Sequence, residues 1–173
     1  MILRLAGIVN ESVVDGPGLR MVVFVQGCPH HCPGCHNPNS HDPSGGYESS
    51  TDAVIAALPD GKLVRGITLS GGEPFAQSAS LVEVAEAAKN KKLSVVTYTG
   101  YQFEKLLEMG QQTPSILKLL ELTDILVDGP FEQERRDLGL AFRGSANQRL
   151  IDVPASLRSG QVVAWTDPAW KVG

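Results

Sequence analysis

The stretch Arg-Met-Val-Val-Phe-Val-Gln-Gly-Cys-Pro-His-His-Cys-Pro-Gly-Cys-His, residues 20–36, decides the fold class of this chain. Residues 21–25 form a continuous run of apolar, mostly β-branched side chains, which is typical of a strand buried on both faces. A loop that carries three cysteines follows directly. A strand of this kind predicts a parallel sheet, and in such sheets the chemistry lies at the carboxyl ends of the strands.

Strands and helices alternate along the rest of the chain. Strands are predicted at residues 2–9, 66–70, 93–98 and 124–128, with weaker ones at 149–153 and 161–164. Helices are predicted from an N-cap at Thr51 to about Leu58, at 78–90, up to Glu108, at 114–122 and between the last two strands, whereas residues 36–47 read as a loop. The alternation predicts an α/β fold with mainly parallel strands. A closed eightfold barrel takes about 250 residues, so about six β/α units suggest a partial, open (β/α)6-type barrel.

The composition is that of a globular protein, and we expect residues 1–173 to form a single domain. Hydrophobic residues make up 42% and charged residues 20% of the chain, which are ordinary values. A net charge of −4 without a basic cluster argues against nucleic-acid binding. No apolar run approaches the roughly 20 residues of a membrane helix, and no signal peptide is evident. We therefore expect a cytoplasmic protein that binds neither nucleic acid nor membrane.

The unusual segments of the sequence all follow predicted strands. They are the cysteine loop, the turn at residues 71–74, the turn at 99–101 and the Asp-Gly-Pro segment at 128–130. Because the carboxyl ends of parallel strands meet at one edge of a sheet, we expect these segments to form one site.

The only cysteines are Cys28, Cys32 and Cys35, in a Cys-x3-Cys-x2-Cys run. An odd number so closely spaced does not form a disulfide framework, and metal or cluster ligation is the better interpretation. Thiolates are the usual ligands of iron–sulfur clusters. Three of them on a cubane leave one iron open, as in a catalytic metal site, whereas an electron-transfer ferredoxin would use a fourth cysteine.

The alternative is a zinc site formed by the three cysteines and His41. Its spacing fits no common zinc finger. A non-enzymatic iron–sulfur or zinc module nevertheless stays open at this point.

The cysteine run resembles the motif of the radical S-adenosylmethionine (SAM) superfamily. The resemblance implies a [4Fe–4S] cluster whose open iron binds SAM and whose reduction cleaves SAM, giving methionine and a 5′-deoxyadenosyl radical that abstracts a hydrogen atom. Many members carry an aromatic residue before the third cysteine, where this chain has Gly34. His36 is our candidate for covering the adenine ring instead.

The sequence Ser-Gly-Gly-Glu-Pro at residues 70–74 resembles the superfamily motif that holds the amino group of SAM. Alone it would be read as a tight turn. Its paired glycines let the backbone approach a ligand closely, and the Glu73 carboxylate can accept hydrogen bonds from an ammonium group.

Three further segments resemble one sub-family, the activating proteins of anaerobic ribonucleoside-triphosphate reductase, which are glycyl-radical activating enzymes. They are Asp-Gly-Pro-Gly-Leu-Arg at 15–20, Leu-Val-Asp-Gly-Pro-Phe at 126–131 and Phe-Arg-Gly-Ser-Ala-Asn-Gln-Arg at 142–149. The last would otherwise be read as a solvated polar loop. With the two motifs above, their order covers most of the chain.

The family resemblance implies a single radical SAM domain with a defined set of site residues. The cluster ligands would be Cys28, Cys32 and Cys35, and the SAM contacts would be Gly34, Cys35, His36, Gly71, Gly72, Glu73, Thr99 and Asp128. No catalytic residue is expected beyond the cluster and SAM, because the step is hydrogen-atom transfer. Arg20 and Arg143 could steer the SAM carboxylate or the partner, or form structural ion pairs.

The implied partners are the glycyl-radical subunit of anaerobic (class III) ribonucleotide reductase and a low-potential electron donor such as flavodoxin or ferredoxin. An open barrel suggests that the partner completes the active site. Two enzymatic alternatives stay open. One is activation of another glycyl-radical enzyme such as pyruvate formate-lyase, and the other is a small-molecule reaction resembling that of 7-carboxy-7-deazaguanine synthase.

Overall fold

A computed structural model describes residues 1–166 of the chain. These residues form a seven-stranded sheet in the order β3-β1-β2-β4-β5-β6-β7. The strands are Ile2–Ser12 (β1), Arg20–Val25 (β2), Tyr47–Ser50 (β3), Gly66–Gly71 (β4), Ser94–Tyr98 (β5), Ile125–Asp128 (β6) and Arg149–Asp152 (β7). The α-helices are Thr51–Ala56 (α1), Ser78–Asn90 (α2), Phe103–Gly110 (α3), Pro114–Leu122 (α4) and Val153–Ser159 (α5).

Four parallel strands, β2, β4, β5 and β6, form the centre of the sheet. β1 and β3 extend it on one side and β7 on the other, all by antiparallel pairing. The sheet is open, as expected, because β3 and β7 are its ends. The barrel of six β/α units is not confirmed, since three of the six strand pairings are antiparallel.

The first strands differ most from the sequence prediction. β1 continues past Val9 to Ser12, and β3 begins where a loop was expected to end. β3 was missed because Tyr-Glu-Ser-Ser carries no strand-like apolar pattern, and it is held by backbone pairing with β1. The N-cap of α1 is Ser50 rather than Thr51, and its side chain accepts a hydrogen bond from the Ala53 N–H at 3.1 Å. The weak strand at 161–164 is a single bridge from Ala164 to Ile151.

The hydrophobic core lies between the sheet and its helices. Helices α1, α2, α4 and α3 contact one another in that order, and β2 is buried along nearly its whole length. A second, smaller apolar cluster of Val96, Ile125 and Val127 lies apart from this core. No helix within residues 1–166 is long and apolar enough to cross a membrane.

Candidate functional site

A cavity of about 600 Å³ opens at the carboxyl ends of the four parallel strands. The structure brings together there the four segments that the sequence placed after strands, namely the cysteine loop and the turns after β4, β5 and β6. Two further segments, residues 13–15 and 138–144, complete the wall. The cavity therefore combines backbone and side chains from most of the sheet.

All three cysteines line this cavity as free thiols. The loop is anchored by backbone hydrogen bonds from the Cys28 N–H to the His41 carbonyl and from the Cys35 N–H to the Cys32 carbonyl, both 3.1 Å. Burial raises the pKa of the Cys28 thiol, and backbone N–H groups of the loop offset only part of that increase. The thiolate at Cys28 thus gains from a bound cation that compensates for its desolvation.

The arrangement of the three thiols bears on the choice between a single ion and a cluster. No three His, Cys, Asp or Glu side chains within residues 1–166 are arranged so that they could hold one metal ion. A zinc ion would need its thiolates within about 2.3 Å of one point. A cubane is larger than an ion and keeps its ligands farther apart, so cysteines distributed around a cavity fit it.

Two nitrogen atoms of residues lining the cavity, His41 Nε2 and Arg143 Nε, are buried without a hydrogen-bond partner among the described residues. A buried donor left unpaired costs about 1–3 kcal/mol. The His41 ring also packs edge-on against the His31 ring, with centroids 5.1 Å apart. Arg143 Nε is a donor in every state, and an unpaired donor at a cavity wall fits a bound group rich in acceptor atoms, such as the sulfides of a cluster or the carboxylate of SAM.

The turn after β4 packs directly against the strand that leads to the cysteines. The Gly72 N–H donates to the Val25 carbonyl at 2.7 Å and the Glu73 N–H to the Gly27 carbonyl at 2.8 Å. A Cβ on Gly72 would lie 2.3 Å from the Gly27 oxygen, and Gly71 has φ +96°. Both glycines are therefore required for this close approach.

The Glu73 carboxylate is fully buried and is not among the residues that line the cavity. Oε1 accepts hydrogen bonds from the Phe75 N–H at 3.1 Å and the Thr99 hydroxyl at 2.9 Å. Oε2 accepts from the Gly100 N–H at 2.9 Å and from His30 Nε2 at 2.7 Å. Glu73 therefore ties the turn after β4 to the turn after β5 and to the cysteine loop.

Thr99 lines the cavity, whereas Asp128 is 1% exposed and lies outside its wall. The Asp128 carboxylate accepts hydrogen bonds from the Phe103 N–H at 2.8 Å and from Arg149 Nε at 2.9 Å. Arg149 also donates to Glu104 at 3.1 Å, and this hydrogen bond lowers the pKa of Glu104. Asp128 thus joins the end of β6 to α3 and β7.

His36 lines the cavity beside an aromatic ring that the sequence interpretation had not singled out. The rings of His36 and Phe131 are in edge-on contact with centroids 5.3 Å apart, and Phe131 also lines the cavity. The sequence signal that could have identified this ring is Phe131 itself, the last residue of the 126–131 segment. Gly34 lies outside the wall with φ +73°, and the side chain of Gln133 occupies the space where its Cβ would be.

The polar segment at 142–149 is bound to the turn after β6 and is not a freely solvated loop. Gln148 Oε1 accepts a hydrogen bond from the Gly144 N–H at 2.8 Å, and Gln148 Nε2 donates to the Gly129 carbonyl at 3.1 Å. Asn147 Nδ2 donates to the Pro130 carbonyl at 2.8 Å. These amides position the preceding loop over the cavity.

A half-buried tyrosine holds the same loop from the other side. The Tyr98 hydroxyl donates to the Phe142 carbonyl at 2.7 Å, and burial raises the pKa of Tyr98. Phe142 has φ +60°, a conformation that a bulky residue adopts only when its surroundings impose it.

The two arginines with open roles differ in position. Arg20 is 2% exposed at the amino end of β2, lies outside the cavity wall and forms no ion pair among the described residues. It donates to neutral acceptors instead, including the Ile67 carbonyl at 2.7 Å. Arg143 lines the cavity, and its Nη1 is 3.4 Å from the Gln148 carbonyl.

Comparison with known proteins finds one family model and several relatives that share one name. A family model described as a 4Fe-4S single cluster domain matches residues 14–151. The chain is 39% identical over 145 residues to the anaerobic ribonucleoside-triphosphate reductase-activating protein of Vibrio cholerae, covering 79% of this chain and 90% of the relative. It is 34% identical to the protein of that name in Escherichia coli K12, with the same coverage. The enterobacteria phage T4 protein is 33% identical, over 79% of this chain and 86% of the relative.

Proposed function

Because the chain belongs to the family of anaerobic ribonucleoside-triphosphate reductase-activating proteins, we propose that it generates a glycyl radical on an anaerobic ribonucleotide reductase. The observation that carries the proposal is the convergence of three free cysteines and the Gly-Gly turn on one cavity. A single radical SAM domain over residues 1–173 is part of the proposal, and the continuous core from Leu3 to Val153 supports it.

The cluster and SAM, when bound, supply one-electron chemistry in which one electron, one SAM and one glycine residue give methionine, 5′-deoxyadenosine and a glycyl radical. The residues of this chain bind and orient these groups. We assign cluster ligation to Cys28, Cys32 and Cys35, which line a common cavity. No acid–base group is required, because a hydrogen atom rather than a proton is transferred.

The proposed SAM contacts fall into two sets. Cys35, His36, Gly71, Gly72 and Thr99 line the cavity and would contact SAM directly. Gly34, Glu73 and Asp128 lie behind its wall, and we propose that they support the contacting residues. Arg143 is a candidate for the SAM carboxylate because its Nε is unpaired.

The reductase subunit is proposed as the physiological partner, and a flavodoxin or ferredoxin as the electron donor. Val13, Val14 and Leu138 carry exposed apolar side chains beside the cavity, which suits a site that a polypeptide must enter. A cytoplasmic location belongs to the same proposal, since free cysteines and an iron–sulfur cluster suit a reducing compartment.

The test is anaerobic reconstitution with iron and sulfide, reduction, and addition of SAM with and without the anaerobic reductase subunit. We expect 5′-deoxyadenosine and the electron paramagnetic resonance doublet of a glycyl radical. Deoxyadenosine without the doublet would point to another glycyl-radical partner or a small substrate. Absence of SAM cleavage by a verified, reduced cluster would overturn the proposal.

A further inference from the structure

His30 connects the cysteine loop to the turn that follows β4. Its ring Nε2 is 2.7 Å from Glu73 Oε2, and the two side chains are 16% and 0% exposed. An ionised carboxylate can only accept, so the ring nitrogen is the donor. His30 lies between Cys28 and Cys32. A residue of the cysteine loop thus contacts the buried carboxylate directly.

The hydrogen bonds of Glu73 leave it no free acceptor position. A carboxylate offers about four lone-pair sites, and its two oxygens already accept from Phe75, Thr99, Gly100 and His30. Three of these donors lie in the segments that follow β4 and β5. His30 is therefore the single donor from the cysteine loop.

The position of the His30 ring is fixed on two further sides. It packs edge-on against Tyr101 with centroids 4.5 Å apart. A Cβ on Gly100 would lie 2.5 Å from the His30 ring, so the turn after β5 has room for the imidazole only because residue 100 is glycine. A side chain enclosed in this way holds its donor in one place, which is what a positioning residue requires.

We propose that His30 and Glu73 form a positioning pair that sets the cysteine loop against the SAM-binding turn at Gly71 and Gly72. In this arrangement Glu73 acts through hydrogen bonds within the protein and not as a direct ligand of SAM. The inference rests on the proposed function, since it assigns roles within the same site. Its consequence is that the cluster and SAM are held in register by a contact between side chains 43 residues apart.

The test compares variants of the full chain, reconstituted with iron and sulfide without oxygen. In His30→Asn the side chain is too short to reach Glu73. In His30→Gln the longer side chain restores a donor near the position of Nε2. Both lack the ring, so their difference isolates the hydrogen bond. His31→Asn is the matched control, because His31 neighbours His30, has no carboxylate partner among the described residues and has φ +48°, which Asn tolerates.

The readouts are iron content and SAM affinity, the latter from the change that SAM causes in the electron paramagnetic resonance spectrum of the reduced cluster. We expect His30→Asn to bind SAM about tenfold more weakly at equal iron content. His30→Gln should stay within about threefold of the parent, and His31→Asn should match it. Loss of iron from His30→Asn alone, with full iron in His30→Gln, would support the same pair. Parent-like SAM affinity in His30→Asn would overturn the proposal.

A double-mutant cycle with Glu73→Gln distinguishes a direct interaction between His30 and Glu73 from a general loosening of the site. If the two residues act together, the double variant His30→Asn/Glu73→Gln should bind SAM no more weakly than Glu73→Gln alone. Additive losses would overturn the pairing. Failure of the loaded, reduced parent protein to bind SAM would instead refute the proposed function, so the two failures are distinguishable.

Discussion

At the scale of single residues, Arg20 shows that a residue of a family motif can stabilise the fold instead of binding a ligand. Its guanidinium donates five hydrogen bonds, to Thr68, Pro17, Ile67 and Ser94, the last of which accepts two. Burial lowers the pKa of Arg20 to about 10. The planar fork thereby joins the loop before β2 to β4 and β5 at the edge opposite the cavity.

We expect Arg20→Lys to lower the free energy of unfolding by about 2–4 kcal/mol, because an ammonium cannot reproduce the fork and leaves buried carbonyls unpaired. Urea unfolding of the metal-free protein measures the change. The control is Arg65→Lys at an exposed position, which should remain within about 0.5 kcal/mol of the parent. Equal stability of both variants would contradict the assigned role.

At the scale of secondary-structure elements, the end of β6 is fastened to its neighbours by charged side chains. Arg149 on β7 donates to Asp128 on β6 and to Glu104 on α3. The Asp128 side is buried, whereas Glu104 is 56% exposed. The contact between Arg149 and Glu104 therefore contributes little to stability. The contact between Arg149 and Asp128 fixes the turn that carries Phe131.

The lowered pKa of Glu104 gives the network a pH dependence of defined sign. Its contribution is complete above the unfolded value of about 4.3 and is lost as the pH falls through the lower folded value. We expect Glu104→Gln to destabilise by at most about 1 kcal/mol at pH 7, and the difference from the parent should shrink as the pH is lowered toward 3. Denaturant unfolding at the two pH values measures this, with Glu108→Gln on the same helix as control. A stability difference between the parent and Glu104→Gln that stays the same in acid would contradict the role assigned to the Glu104 carboxylate.

The loop at 138–144 depends on the amide of Gln148. Removing its two short hydrogen bonds to Gly144 and Gly129 should raise the open population about tenfold, since each is worth about 0.5–1.5 kcal/mol. We therefore expect Gln148→Ala to speed tryptic cleavage at Arg136 or Arg143. Gln161→Ala, at an exposed position, serves as the control. Unchanged cleavage would mean that other contacts hold the loop.

At the scale of the whole molecule, the core and the site are built from different parts of the chain. The main hydrophobic cluster contains no residue between Val25 and Val54 within the described structure. The cysteine loop therefore lies outside the core, whereas the strands that surround it pack without any contribution from the thiols. The sheet acts as a preformed frame for the cluster.

This separation predicts a folded apoprotein, unlike a zinc finger, which unfolds without its metal. The triple variant with Cys28, Cys32 and Cys35 each replaced by Ser should keep the far-ultraviolet circular dichroism of the parent and a cooperative thermal transition. It should retain no iron after reconstitution. A loss of cooperativity would show that the cluster is needed for folding.

The sequence by itself determined the parallel centre of the sheet and the place of the site. The apolar run at 21–25 requires burial on both faces, and parallel strands bring their carboxyl ends to one edge whatever the side chains around them. The spacing of Cys28, Cys32 and Cys35 indicated the cluster because ligands so close in sequence can share one cofactor. Both features depend on residues that are close together in the sequence, so a local sequence pattern is enough to predict them.

Only the tertiary structure decided which distant groups meet. β3 has no apolar pattern and exists because β1 offers it a backbone edge. Phe131 contacts His36, and His30 reaches Glu73, across long stretches of chain that no periodicity relates. The role of Arg20 likewise depends on which carbonyls surround it once β4 and β5 are paired. Hydrogen-bond partners of buried groups are chosen by packing, and packing is a property of the complete fold.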